Sequence, residues 1–278
     1  MLVIVSATSC TEEIIIDDLE NVDPRLVIEA SIDVDKYDDN SYKTQRIKLS
    51  ETTSYYSNNY PPVKGASVFV TDANGMAMGT FLDLNPAIPN DEEDGIYTAV
   101  DFIKPIIGNT YFLTVTVDGE IYKATDIFTS IVDINTINQE TITFTEEIIQ
   151  LNINIDNEIG VDNYYLSKIE TPFRIIPEFN VLDDEQFSEE VGSNNFNFTF
   201  IDEELKKDMY IAITLYGISK AYQKYLDKLL ANSQGSNGPF STAPASVRGN
   251  LLNTTNKNNY ALGYFSVNQS VKSSYIVK

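Results

Sequence analysis

Carboxylates are the one plentiful chemical tool in this sequence. The chain has 41 acidic residues against 19 basic ones, a net charge of −22 over 278 residues, no histidine, no tryptophan and one cysteine. Without histidine there is no Ser-His-Asp or Cys-His machinery and no imidazole metal ligand. A single cysteine makes neither an internal disulfide nor a thiolate zinc cluster. The segment NDEEDGIYTAVD places side-chain oxygens at Asn90, Glu92 and Asp94, Gly95 sixth and Asp101 twelfth, which echoes the spacing of an EF-hand calcium loop. Position twelve is Asp where a bidentate Glu belongs, and Pro86 and Pro89 stand where a helix would enter. The first reading is a solvated acidic turn into strand IYTAV; calcium is the alternative, and no other cofactor is expected. DVDKYDDN fails the same test, because Tyr37 takes a ligand position. A glycosidase needs two acids roughly 5 or 6.5–9.5 Å apart, a spacing that some pair among so many acids meets by chance. Tyr164 and Lys168 form a Y-x-x-x-K with no glycine-rich nucleotide motif beside it. Ser219-Lys220 opens a helix, where capping explains the serine. Catalysis is not expected.

Two loops read as binding surfaces. SETTSYYSNNYPPVKG sets Tyr55, Tyr56 and Tyr60 among small polar residues, with Pro61-Pro62 stiffening the exit. Tyrosines in such loops give large contact area at low entropy cost. GSNGPFSTAP offers Phe240 in a glycine-rich frame. The competing reading folds these aromatics back onto a sheet. Nucleic acid is not a partner of so acidic a chain, which repels phosphate backbones and anionic headgroups alike.

These loops need a rigid scaffold, and the pattern supplies strands. Hydrophobic residues make up 42% of the chain, enough for real cores. LVIEASIDV passes into alternation. ASVFVTDANGMAMGTF has two β-prone runs around Asn74-Gly75, which predicts a type I′ hairpin, and TYFLTVTVDGEIYKA repeats the device with Asp118-Gly119. Strands at about ten-residue spacing with tight turns predict a β-sandwich over residues 25–131. A second β-rich unit follows over 132–278: QLNINID, DNYYLSKIE, FRIIPEFNV, NFNFTFI and MYIAITLYGI read as strands. ISKAYQKYLDKLLANSQG differs, with Tyr222, Tyr225, Leu226, Leu229 and Leu230 on one face of a helix of about 219–232. The end, YALGYFSVNQSVKSSYIVK, reads as two closing strands. The fold class is mostly β: an immunoglobulin-like or carboxypeptidase-regulatory-like sandwich, then a β-rich domain with one amphipathic helix.

The opening MLVIVSATSC resembles the end of a bacterial lipoprotein signal segment. A short apolar run is followed by small residues at Ala7, Thr8 and Ser9, then by Cys10, the one side chain that can be diacylated. The basic stretch that normally precedes such a run is missing, so residues 1–10 read as a remnant. Residues 11–24 form an acidic tether. Glu12 and Glu13 directly after the cysteine resemble the surface-export signal of Bacteroidota lipoproteins. The membrane would be met through the lipid anchor only.

The order of motifs along the chain resembles the domain-of-unknown-function family 4249, lipoproteins of Bacteroidota. It is carried by RLVIEASI, PVKGASVFVTD, IYTA, GNTYFLTV and DGEIYKA in the first half. In the second it rests on the tyrosine-bearing helix Tyr222–Leu230, Pro239-Phe240, Gly249-Asn250 and Gly263-Tyr264-Phe265. The resemblance implies an outer-membrane, cell-surface lipoprotein, often encoded beside a TonB-dependent (SusC-like) transporter. It therefore implies a partner, lid or substrate-capture subunit for that transporter, with a small-molecule or peptide ligand left open. It brings no catalytic residues. The alternatives are a structural or adhesive, fimbria-like surface protein and a carboxylate-dependent hydrolase.

Overall fold

The structure is a computed structural model that describes residues 23–40, 42–53, 57, 59–83, 95–143, 147–156, 162–183, 195–233 and 247–278. The first half consists of β1 (Leu26–Asp35), β2 (Tyr42–Glu51), β3 (Ser67–Thr71), β4 (Ala77–Asp83), β5 (Ile96–Ile103), β6 (Thr110–Val117) and β7 (Glu120–Ile127). Next come β8 (Ile134–Thr143), β9 (Glu147–Asp156), β10 (Tyr164–Glu170), β11 (Glu178–Asp183), β12 (Asn195–Ile201) and β13 (Tyr210–Ile218). Helix α1 (Lys220–Ser233), the short β14 (Leu252–Asn253) and β15 (Leu262–Ile276) complete the chain. Among the described residues the protein is mostly β with one helix. No helix among the described residues is long and apolar enough to cross a membrane.

Twelve strands form one sheet, ordered β11-β10-β13-β15-β1-β2-β5-β4-β3-β6-β7-β14. Its β1-to-β7 part rolls around a core that includes Ile28, Ile32, Leu49, Val70, Tyr97, Leu113 and Phe128. Alternation sets the inward faces: on β6, Tyr111, Leu113, Val115 and Val117 are buried, whereas Phe112 is exposed. The roll brings β7 back beside β15, and side chains make the join. Asn250 Nδ2 donates to Thr125 O (3.0 Å) and Phe265 O (2.8 Å), and Asn250 Oδ1 accepts from Phe265 N at 2.9 Å. The Asp126 carboxylate accepts from Val267 N at 3.2 Å.

A second sheet, β12-β9-β8, packs on the β10-β13-β15 region. Leu151, Ile153, Ile155, Phe196, Phe198 and Phe200 meet Tyr165, Ile211, Ile213, Leu215 and Val271 there. Helix α1 covers the opposite face of that region. The middle strands are therefore covered on both faces, and residues 264–271 are buried without a break.

Three expectations change. The tail is one strand of 15 residues, not two. It pairs in parallel with β1 through Ser270 and antiparallel with β13 from Gln269 onward. The change of neighbour halfway along reads in sequence like a break. It also makes β15 common to both halves, since Phe265 and Val267 sit in the first core and Val271 in the second. FRIIP is the loop between β10 and β11, and only Glu178–Asp183 is strand. The Asn74-Gly75 hairpin is not type I′. Gly75 has φ +80° and Asn74 is not among the residues with positive φ. The Asp72 side chain accepts from the backbone N–H of Asn74 (2.9 Å) and Met76 (2.8 Å), which holds a longer loop with a bulge in the β3–β4 register. Asp118 (φ 50°) and Gly119 (φ 79°) do adopt the left-handed pair that a type I′ turn requires.

Candidate functional site

Helix α1 begins where Ser219 can cap it. Ser219 Oγ accepts from Tyr222 N at 3.2 Å. Tyr222, Tyr225 and Leu226 then pack over Tyr164 and Leu166 of β10, Val181 of β11 and Tyr216 and Ile218 of β13. Tyr264 of β15 completes an aromatic group, with ring centroids 4.6 Å from Tyr222 and 4.8 Å from Tyr225. Leu229, on the expected apolar face, stays exposed, and Gln223 is buried instead.

Beside this aromatic group the same sheet face turns polar. Parallel register places Asp33 of β1 opposite Asn268 of β15. Asn268 Nδ2 donates to Asp33 Oδ1 (3.0 Å), Ser31 Oγ (3.2 Å) and Ser266 Oγ (3.0 Å), and Ser31 Oγ donates to Asp33 Oδ1 (2.9 Å). Asn268 Oδ1 is buried without a partner among the described residues. Burial pushes the Asp33 carboxyl above its usual range, against the pull of Asn268, Ser31, Lys168 and Lys272. Burial also raises Asp126, against its bonds from Ser219 and the backbone of Ile127 and Val267. The Tyr216 and Tyr222 hydroxyls rise through burial first and the Asp33 charge second. The face thus gathers a poorly hydrated carboxyl, an amide and two phenols. Such groups orient a ligand through hydrogen bonds and ring contacts; Ser31 and Ser266 bond to Asn268 and to each other.

A raised carboxylate opposes folding once it ionises. The native state holds the Asp33 proton to higher pH than the unfolded chain does. The associated stability is full below the unfolded pKa and is lost as pH rises through the folded one. Asp33→Asn keeps the acceptor for Ser31 and Asn268 and removes the charge. At pH 7 it is expected to stabilise the protein, because the buried charge is gone. The gain should close as pH falls towards the ordinary aspartate range, followed by thermal melts across pH.

The second candidate lies at one end of the sheet. In the loop after β10, Arg174 bonds to Glu178 at 3.2 Å and to the largely buried Asp202. The loop is braced at its base, yet Ile175 is 101% exposed and Ile176 76%. Antiparallel pairing sets Ala212 opposite Glu170 and Tyr210 opposite Ile276. Exposed Tyr210 and Ile276 therefore belong to the same end as the loop. β1 begins at the other end, beside the start of β15. A strand of that length spans roughly 45–50 Å.

Most of the residues singled out in the sequence fall elsewhere. Cys10, Glu12, Glu13, Tyr55, Tyr56, Phe240, Asn90, Glu92 and Asp94 lie outside the described residues. Tyr60 is exposed, so its ring does not fold back onto the sheet. Asp101 is exposed on β5 and accepts from Thr80 N at 3.2 Å. Among the described residues no group of three or more cysteine, aspartate or glutamate side chains could hold a metal ion. Sequence reading missed Asp33, Asn268 and the isoleucine tip. For the tip a signal existed: Pro177 directly after Ile175-Ile176 disfavours a paired strand there.

Comparison with known proteins adds a family and little else. No curated protein matches. Among solved structures, a segment of two fibronectin type-III domains from chicken tenascin is similar at 11% identity and a TM-score of 0.23, covering 70% of this chain and 90% of that one. A family model described as a domain of unknown function (DUF4249) matches residues 12–274. With nearly the whole chain inside that match, the protein belongs to the DUF4249 family.

Proposed function

We propose that this protein is a lipid-anchored cell-surface binding subunit that partners a TonB-dependent outer-membrane transporter and does not catalyse a reaction. The observation that carries the partner contact is the braced isoleucine tip. A loop fixed by Arg174 that projects two fully apolar side chains into solvent has a use when a partner covers them. The tip stands at the end away from the start of β1, so a chain anchored through Cys10 would leave it free to reach a neighbour. The Asp33–Tyr216–Tyr222 face is the candidate surface for cargo.

The test is a mild-detergent purification of the tagged full-length protein from its native membrane, with Cys10→Ala beside it. The expected result is a large β-barrel co-purifying with the wild type, and loss of membrane retention in the variant. A lipidated surface protein that comes down alone would remove the partner reading. A second reading, an adhesive or fimbria-like subunit, draws on β8, a ten-residue strand that pairs only with β9 among the described residues. It contains neither proline nor lysine, the usual guards of an exposed edge. Ladders of this chain in the same preparation would favour it.

A further inference from the structure

We propose that two copies of this chain pair through strand β8, edge to edge and antiparallel, so that their two small sheets join into one of six strands. The described residues leave four strand edges, and β8 is the longest. β14 has two residues, and β11 has six, with Glu178 at one end and Asp183 at the other. β12 has seven. β8 has ten, six of them β-branched, and Glu140 is its one charge. Its ladder bonds all go to β9, and its outer edge has no backbone partner among the described residues.

The strand leads away from the first half of the chain. Lys36 and Tyr37 hold Asp133, just before β8. Gln139, halfway along, donates to Lys278 O at 3.2 Å and accepts from Lys278 N at 2.9 Å, beyond the last residue of β15. β1 has already stopped opposite Ser270. Asn138, Glu140, Thr141 and Thr143 are exposed.

The strand's own pattern makes a second copy its partner and sets the register. Antiparallel partners share a sheet face. Ile137 packs into the second core and Gln139 bonds to Lys278, so odd-numbered positions from 137 onward face inward. A two-fold axis normal to the sheet then passes through a residue, not between two. An axis at Glu140 sets two carboxylates against each other. An axis at Asn138 shortens the pairing, because the register of β8 is irregular between Ile134 and Thr136. An axis at Gln139 pairs Thr136 to Ile142 without a break. It sets each Asn138 opposite the Glu140 of the second copy, an amide beside a carboxylate on both sides of the axis. Both copies use the same surface, so the assembly closes at two.

The experiment uses the full chain carrying Cys10→Ala, which removes both an acyl group and an intermolecular disulfide as causes of association. Sedimentation velocity up to roughly 100 µM, a range that reveals small and weak interfaces, should show a monomer–dimer equilibrium. Asn138→Glu sets carboxylate against carboxylate twice and should weaken the dimer about tenfold. Asn138→Lys should hold the dimer or tighten it, and the double variant Asn138→Glu/Glu140→Lys should restore it. Both side chains are exposed, and circular dichroism melts check that the variants fold. A chain that stays monomeric throughout, or a dimer that responds equally to the two single variants, overturns the proposal. Assembly beyond two copies also overturns it, because β8 has then met a different edge. No transporter is present in the experiment, so its outcome is independent of the reading above.

Discussion

Gly263→Ala is expected to destabilise the protein by about 3–5 kcal/mol, a large part of the stability of an ordinary domain. Two effects add. Gly263 has φ +95°, a conformation that an L side chain adopts only under strain. Its missing Cβ also faces β1, where it would meet Ile28 O at 2.1 Å. Backbone cannot rotate aside as a flexible side chain can, so β15 and β1 would have to part at the first rungs of their parallel ladder. Gly65 is the control. It too has positive φ, at +67°, but nothing lies within 4 Å of its Cβ position. Gly65→Ala should cost only about 1 kcal/mol, the conformational part alone. Urea denaturation of the two variants separates strain from collision. Similar losses at the two positions would mean that the approach of Gly263 to β1 is looser than described.

Asn250→Ala is expected to cost about 2–4 kcal/mol, because three backbone groups lose their partner together. The amide spans the seam where β7 returns to β15: two donors reach Thr125 O and Phe265 O, and one acceptor takes Phe265 N. Phe265 is fully buried, so water does not easily replace the lost bonds. Asn250→Asp provides the discriminating comparison. It is nearly the same size and keeps the acceptor, but it points a carboxylate oxygen at two carbonyls. Rescue by aspartate would show that volume, not the amide pattern, holds the seam. Thermal and urea midpoints of both variants decide the matter.

What could be read in the sequence followed local rules. Alternation on β6 and the Asp118-Gly119 turn involve neighbours in the chain, and both fold as their residue types predict. Asn74-Gly75 has the same surface signal, but the Asp72 side chain competes for the turn and lengthens it. Contacts between distant segments were harder to see. The asparagine-rich stretch 253–259 reads as loop filler. In the structure, the Tyr122 hydroxyl donates to the Glu120 carboxylate and does most to hold that carboxyl below its usual range, with Asn256, Asn259 and Asn253 donating beside it. The Asp33–Asn268 pair forms only because β1 and β15 lie side by side, 235 residues apart in the chain. Nothing in the spacing of either residue announces it. Gly249, Asn250 and Gly263 stood out through family resemblance, and the structure supplies their physical reason: a Cβ on Gly249 would lie 1.8 Å from Gly263 O.

The isoleucine tip carries the account of function, and one measurement addresses it directly. Full-length Ile175→Ser/Ile176→Ser is tagged and purified from its native membrane in mild detergent beside the wild type. Both side chains are solvent-exposed, so melting midpoints should agree within about 2 °C. The account predicts that the variant is lipidated and folded yet recovers at least tenfold less β-barrel. Undiminished recovery of the barrel would contradict it and place the partner contact elsewhere on the surface.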